Sequence, residues 1–287
     1  MADIDLHTHS AMSDGTDAPR ELVRKAASIG LKAVALTDHD TVAGVAEAMA
    51  AGREFGVEVV PGIEISSDYK DENVHVLGYY IDTESESLRH MALWAAEERD
   101  KRNRRMAENM AADGFDISYE ALLQEFPGAI LGRPHFCEHL MRKGYVSSIA
   151  EGFQKLLGSK GPYYLPKKRL PLATVAKIIL DSGGIPVLAH PLQYKMSEEE
   201  LFALLDEAQS LGIQRVEGYY SEHGPVQQAY VLNLAAKRGM ALSGGSDYHG
   251  TRKPAISLGT GMGNLSVPYF VLDSLKSDLK SGRAGAC

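Results

Sequence analysis

Short apolar runs alternate with longer amphipathic segments along most of this chain, and that rhythm limits the possible folds more than any other feature. Ile4–Leu6, Ala33–Leu36, Val57–Val60, Val74–Tyr80, Pro186–Ala189, Gln214–Gly218 and Ala241–Ser243 read as strands. Helical segments follow several of them. Ala18–Ile29 has Pro19 near its start and Gly30 just past its end, both helix-boundary signals. Thr41–Phe55, Pro171–Ser182, Glu198–Leu211 and Val226–Lys237 follow the same logic. Repeated strand–helix units predict an α/β fold with a largely parallel sheet, and roughly seven of them are enough to close a barrel. Glu64 to Val74 reads instead as a hairpin around Lys70–Asn73, so one unit departs from the alternation.

Residues 85–165 break the rhythm. Leu88–Ala112 reads as one long helix rich in Arg and Glu, Tyr119–Phe126 and His135–Lys143 as two more, and Gly158–Pro162 as a return linker. The expectation is a barrel domain from 1–84 and 166–287 carrying a small helical insertion domain at 85–165. A chain of 287 residues is long enough for that arrangement. The formal charge of −8 argues against broad, nonspecific nucleic-acid binding, while leaving room for a local positive pocket. The two cysteines, Cys137 and Cys287, make no disulfide framework, which fits a reducing compartment. Met1–Asp5 shows no basic, then apolar, leader, and no apolar run reaches the ~18 residues of a membrane span. A cytoplasmic protein without membrane attachment or an obligate protein partner is expected.

The ten histidines are placed unevenly. His7 and His9 stand at i and i+2 at the end of the first strand, so both imidazoles point to one side. Asp14 follows in Ser13-Asp14-Gly15. The second strand runs into Thr37-Asp38-His39-Asp40, and the third into Gly62-Ile63-Glu64. The fourth carries His75, a later one ends at Ala189-His190-Pro191, and the last ends at Ser246-Asp247-Tyr248-His249. A lone histidine at a strand end is more often structural than ligating. Here five strand ends bring His, Asp or Glu to the rim where barrel enzymes keep their chemistry.

Imidazole and carboxylate without thiolate suit Zn, Mn or Fe rather than a cysteine-based structural site. The candidates are too many for one ion. Two or three divalent ions are implied, and such sites hydrolyse phosphate esters by in-line attack of an ion-bound hydroxide. Three carboxylates, Asp14, Glu64 and Asp247, against about three divalent ions leave a surplus near +3. A phosphate dianion plus hydroxide balances that surplus better than a neutral amide or lactone.

With these residues in view, the chain resembles the PHP family, the polymerase and histidinol phosphatase metal-dependent phosphoesterases. The motifs are His7-Thr8-His9 with Asp14, Thr37-Asp38-His39, Gly62-x-Glu64, His75, Ala189-His190-Pro191 and Ser246-Asp247-x-His249. The resemblance implies a distorted (β/α)7 barrel, TIM-like, and a trinuclear site of Mn, Fe or Zn. It implies one ion on His7, His9, Glu64 and Asp247, a second on the shared Glu64 with His75 and His135, and a third on Asp14, His39, His190 and His249. His139, four residues beyond His135, is the rival ligand. His139 and His90 read otherwise as packing or surface residues. The insertion and Gly132-Arg133-Pro134-His135 resemble the branch that removes the 3′-phosphate of nucleoside 3′,5′-bisphosphates, of which some members trim short RNAs from the 5′ end and others open cyclic phosphates. The chain carries no polymerase domain, so a DNA polymerase role is not expected.

On the substrate side, Arg133 reads equally as a phosphate grip or an ordinary ion pair. Lys167, Lys168 and Arg169 read as caps over the pocket or as solvated charges. His223 reads as a substrate contact or a plain loop residue. Lys101, Arg102, Arg104 and Arg105 sit beside Glu97, Glu98 and Asp100 and read as a solvated helix face. Asp14, Glu64 and His190 are the expected catalytic residues, with Asp38 orienting a ligand from behind and His190 a candidate proton donor. The expected substrate is a small phosphorylated molecule, a nucleotide or a short RNA. Competing readings are a cyclic-phosphate phosphodiesterase, a histidinol-phosphate phosphatase, a metal-dependent amidohydrolase and a regulatory module with a decayed site.

Overall fold

The computed structural model describes residues 3–127, 129 and 131–281; Cys287 lies outside them. The chain forms two compact units, one holding the chain up to Ala92 and from Arg169 onward, the other Leu93–Lys168. In chain order the first unit runs β1 (Ile4–Thr8), α1 (Pro19–Ser28), β2 (Ala33–Leu36), α2 (Val45–Phe55), β3 (Glu58–Tyr69), β4 (Glu72–Tyr79) and the start of α3 (Glu86–Ala112). The second unit holds the rest of α3, α4 (Tyr119–Glu125), α5 (Arg133–Arg142) and α6 (Ile149–Gly152), the last leading into a π-helical turn at Phe153–Leu157. The first unit resumes with β5 (Leu170–Pro171), α7 (Leu172–Asp181), β6 (Ile185–Leu188), α8 (Glu198–Ser210), β7 (Arg215–Tyr220), α9 (Pro225–Arg238), β8 (Ala241–Gly245) and α10 (Phe270–Lys280). The units divide at 92/93 and 168/169 rather than 84/85 and 165/166, because α3 starts with the barrel. Leu88 and Met91 are buried, and the Ser87 hydroxyl donates to the carbonyl of Ile178.

The sheet is ordered β1-β2-β3-β4-β6-β7-β8, with the short β5 added beside the outer part of β3. β1, β2 and β3 pair in parallel, as do β6, β7 and β8. β4 is antiparallel to both neighbours. Its reversal follows from a two-residue turn, Lys70-Asp71, both at positive φ (50° and 69°), the geometry that suits the twist of a tight hairpin. At the far edge β8 returns to β1. The amide of His9 donates to the carbonyl of Tyr248 at 2.9 Å, and that of Asp247 to the carbonyl of His7 at 2.8 Å. The result is a distorted (β/α)7 barrel.

Alternation along the strands sets the layers. Ala33 and Ala35 of β2 face the interior with Ile4, Leu6, Val60, Leu77, Tyr79 and Val187. Val34 and Leu36 face outward onto Leu22, Val23 and Ala26 of α1 and Ala48 and Ala51 of α2. α10, absent from the sequence reading, packs Val271, Leu272 and Leu275 onto the interior cluster. It reaches the starts of the strands: Lys276 pairs with Glu58 at 2.6 Å and Asp278 with Arg215 at 2.5 Å. It therefore closes the N-terminal end and leaves the C-terminal rim for the site. The second unit has a core of its own around Met106, Met110, Leu122, Phe136, Leu140 and Leu157. Among the described residues no helix is long and apolar enough to cross a membrane.

Arg215 is the largest fully buried side chain. Its guanidinium donates to Asp278, to Ser274 and to the carbonyl of Leu242. Asp278→Ala leaves that charge buried without its counter-ion. The expected loss is about 3 kcal/mol, the low end for such a deletion because Asp278 is partly exposed. Urea unfolding checks it, and turnover below the transition is expected to be unchanged.

Candidate metal centre

Glu64 lies at the middle of the rim. It sits beyond the last β2–β3 ladder pair, Leu36↔Pro61, where the Asp40 amide donates to its carbonyl at 2.9 Å. Five imidazoles close on its carboxylate. Oε1 lies 2.8 Å from His75 Nδ1 and 3.1 Å from His190 Nε2. Oε2 lies 3.2 Å from His7 Nε2, 3.1 Å from His9 Nε2 and 3.2 Å from His39 Nδ1. The reversal of β4 explains His75: the strand comes in from a hairpin beyond the rim, and His75 stands one residue outside the last pair with β6, Val76↔Leu188, so it joins the same rim from the opposite direction. A second carboxylate, Asp14, meets His249 Nε2 at 3.2 Å, His9 Nδ1 at 3.8 Å and His39 Nε2 at 3.9 Å.

Hydrogen bonding alone does not account for this cluster. A carboxylate offers about four lone-pair directions, fewer than the imidazoles present. Both ring nitrogens of the fully buried His9, with His39 Nδ1 and His190 Nδ1, are aligned to no hydrogen-bond partner. Converging nitrogen lone pairs and carboxylate oxygens fit cations. Three groups bring their ligand atoms within 4.8 Å of one another: His9, Asp14, His39 and His249; His7, His9 and Glu64; His39, Glu64 and His75.

Electrostatics point the same way. Burial drives His39 down to about 4. For His9 burial acts downward too, but Asp247 and Glu64 outweigh it and push the ring up to about 9. Burial would raise Asp14, Glu64 and Asp247, yet the surrounding imidazoles hold all three carboxyls well below the usual range. Without ions, Glu64 and Asp247 hold a proton on His9 as counter-charge. A bound cation takes over that role.

The backbone turns sharply where the ligands leave the strands. Asp40, His190 and Asp247 have φ of 53°, 22° and 58°, strained values that gather at functional sites. Gly245 allows β8 to touch β1: a Cβ there would stand 2.3 Å from the amide nitrogen of His7.

The PHP domain model matches residues 5–160, more than half of the chain. The chain belongs to the PHP domain family. It is 32% identical to a 3′,5′-nucleoside bisphosphate phosphatase of Chromobacterium violaceum, over 87% of this chain and 88% of that one. It is 29% identical to a 5′-3′ exoribonuclease of Haemophilus influenzae, over 85% and 89%. A crystal structure from Bifidobacterium adolescentis, assigned as a metal-dependent phosphoesterase, superposes with a TM-score of 0.81 at 29% identity, covering 99% of this chain and 96% of the other.

Within this PHP barrel the structure brings together His7, His9, Asp14, His39, Glu64, His75, His190, Asp247 and His249. His190 stands against Glu64, whereas the group around Asp14 is completed by His9, His39 and His249. Asp38 accepts from the amide and hydroxyl of Ser10 and the hydroxyl of Ser13 at 2.6–2.7 Å. It thereby fixes the loop between His9 and Asp14. His135 belongs to the second unit, where its Nδ1 accepts from the Gly132 amide at 3.1 Å. His139 is a packing residue between Glu125 and the carbonyl of Asp116, and His90 is exposed beside Glu86. The Arg133 guanidinium carbon lies 5.0 Å from the ring centroid of Tyr164 and 5.6 Å from that of Phe153, and the group donates to the carbonyl of Leu157. Lys167 is half-buried in the segment before β5. Lys168 faces Glu98, and Arg169 pairs with Asp68. Lys101 and Arg105 pair with Glu98 and Glu108 along their helix, and Arg104 pairs with Glu120 of α4. His223 is buried rather than on an open loop, its ring 5.2 Å from Tyr220.

Two buried carboxylates escaped the sequence reading. Glu217 accepts from His7 Nδ1 at 2.9 Å and from the His190 amide at 2.8 Å, joining two candidate ligands from behind. Asp5 accepts from the amides of Ser246, Gly259 and His7. The signal for Glu217 was an acid inside an apolar strand, Val216-Glu217-Gly218. Glu217→Gln is expected to weaken Mn²⁺ binding about 10–100-fold, the usual effect of losing such a support, with little change in the unfolding midpoint of the ion-free protein. Calorimetric titration with Mn²⁺ checks it.

Proposed function

We propose that this PHP protein removes the 3′-phosphate of nucleoside 3′,5′-bisphosphates, with short RNA 5′ ends as related substrates. The chain is a metal-dependent phosphoesterase. The observation that carries the reading is the convergence of five imidazoles on the buried Glu64, next to a second group built on Asp14. So many ligands serve a set of ions rather than one. Likeness to the Chromobacterium phosphatase across most of both chains supports the choice of substrate.

The proposed complement is two or three ions of manganese, iron or zinc, held by His7, His9, Asp14, His39, Glu64, His75, Asp247 and His249 with His190. Divalent ions there supply neutralisation of phosphoryl charge and an activated water nucleophile. The chain's own part is placement. Glu64 ties the ligand groups together and Asp14 holds the outer one. Asp38 fixes the loop that carries Asp14. His190 is anchored through its amide on Glu217. His223, buried beside Tyr220, is the proposed substrate contact.

Phosphate release with added Mn²⁺ tests the reading, comparing adenosine 3′,5′-bisphosphate with histidinol phosphate. The bisphosphate is expected to win by about two orders of magnitude in kcat/KM, because a site built to bond polar groups rejects a substrate lacking them. Preference for histidinol phosphate would sink the substrate assignment. Asp14→Ala is expected to abolish turnover without unfolding the chain, measured as activity beside a thermal melt. Near-normal turnover would remove Asp14 from the ion set.

A further inference from the structure

Asp247 has two oxygens in unlike surroundings. Oδ1 looks toward imidazoles: His9 Nε2 at 3.3 Å, His249 Nδ1 at 3.4 Å and His7 Nε2 at 3.6 Å. Oδ2 accepts from the Tyr220 hydroxyl at 2.9 Å and the Lys253 ammonium at 2.6 Å. Neither partner is adventitious. Tyr220 is a buried residue at the end of β7, its ring 5.4 Å from that of His190. Lys253 follows a turn fastened to the Asp14 loop at two points. The Thr251 amide donates to the Thr16 hydroxyl at 3.0 Å, and the Arg252 guanidinium donates to the carbonyl of Asp14 at 3.1 Å.

We propose that Tyr220 and Lys253 are positioning residues that hold Asp247 to one-oxygen ligation, so that Oδ1 alone serves the ion shared with His7 and His9. A carboxylate free to rotate can chelate one ion with both oxygens. Two donors on Oδ2, one of them charged, occupy its lone pairs and fix the torsion. The ammonium also withdraws negative charge from the ligand, which leaves the ion more strongly electron-withdrawing toward a phosphate. This inference rests on the metal-centre reading above.

The test uses full-length protein stripped of metal by a chelator and titrated with Mn²⁺ by calorimetry and equilibrium dialysis. Each protein is also melted thermally. Tyr220→Phe and Lys253→Met are each expected to weaken the affinity for one ion of the set about 10–100-fold. Lys253→Arg is expected to retain most of it. The double variant is expected to lose less than the product of the single losses, because both donors act on one oxygen. Tighter Mn²⁺ binding by Lys253→Met would overturn the proposal, since the lysine would then only repel ions. Unchanged affinity in both single variants would overturn it too. A wild-type protein that takes up no Mn²⁺ overturns the metal-centre reading itself, an outcome distinct from wild-type uptake with unaffected variants. Lys253 is half-buried, so Lys253→Met carries the test if Tyr220→Phe fails to fold.

Discussion

A carboxylate buried to 1% exposure needs polar partners, and Glu64 has them in the form of five imidazoles drawn from four different segments of the chain. That single convergence dictates much of the barrel. His7 and His9 must share one face of β1, which the period of a strand provides. β3 must run past the point where its parallel neighbour ends, so that Glu64 stands at the rim rather than within the core. β4 must reverse, because a strand entering from beyond the rim can place His75 there without a crossover helix. An isolated charge at this position would cost far more than the fold could offset. The cluster exists only as a set.

The two ends of the barrel answer to different demands. The N-terminal end is closed for stability, with α10 laid over the interior and Arg215 paired to Asp278 beneath it. The C-terminal end carries backbone strain at Asp40, His190 and Asp247, buried ring nitrogens without partners and carboxylates crowded by imidazoles. Such features destabilise a free domain. They persist because the packed wall of Ala33, Ala35, Leu77, Tyr79 and Val187 below them and the hydrogen-bonded supports behind them over-determine the geometry.

The candidate ligands were legible in the sequence because their chemistry is written in residue type at strand ends: histidines two apart, an acid four residues past a strand, Ala-His-Pro after another. The barrel was legible through alternation of period, and the hairpin through Lys70-Asp71-Glu72-Asn73. Glu217 was not, since a lone acid in a strand can face solvent or interior and a period of two does not say which. Lys253 was hidden for a different reason: it reaches Asp247 through a loop without periodicity. α10 lies beyond the last strand, outside the alternation that flagged the other helices. The start of α2 was placed at Thr41 but falls at Val45. Asp40 at positive φ turns the chain first, and Gly44 is wedged against Leu36 and Pro19.

The supports revise the charge balance of the site without changing its outcome. Counting Asp14, Glu64 and Asp247 against the proposed complement of about three divalent ions leaves a surplus near +3. The structure adds Glu217 directly behind His7 and Lys253 directly on Asp247, one negative and one positive, so the surplus stands. Asp38 and Asp5 lie further back and are each satisfied by three donors from backbone and hydroxyl groups. They hold loops rather than ions. With the proposed ions counted against the groups that touch the cluster, the rim favours a ligand that brings two negative charges of its own. Among hydrolysable groups, a terminal phosphate monoester does so, whereas an amide brings none and a phosphodiester brings one.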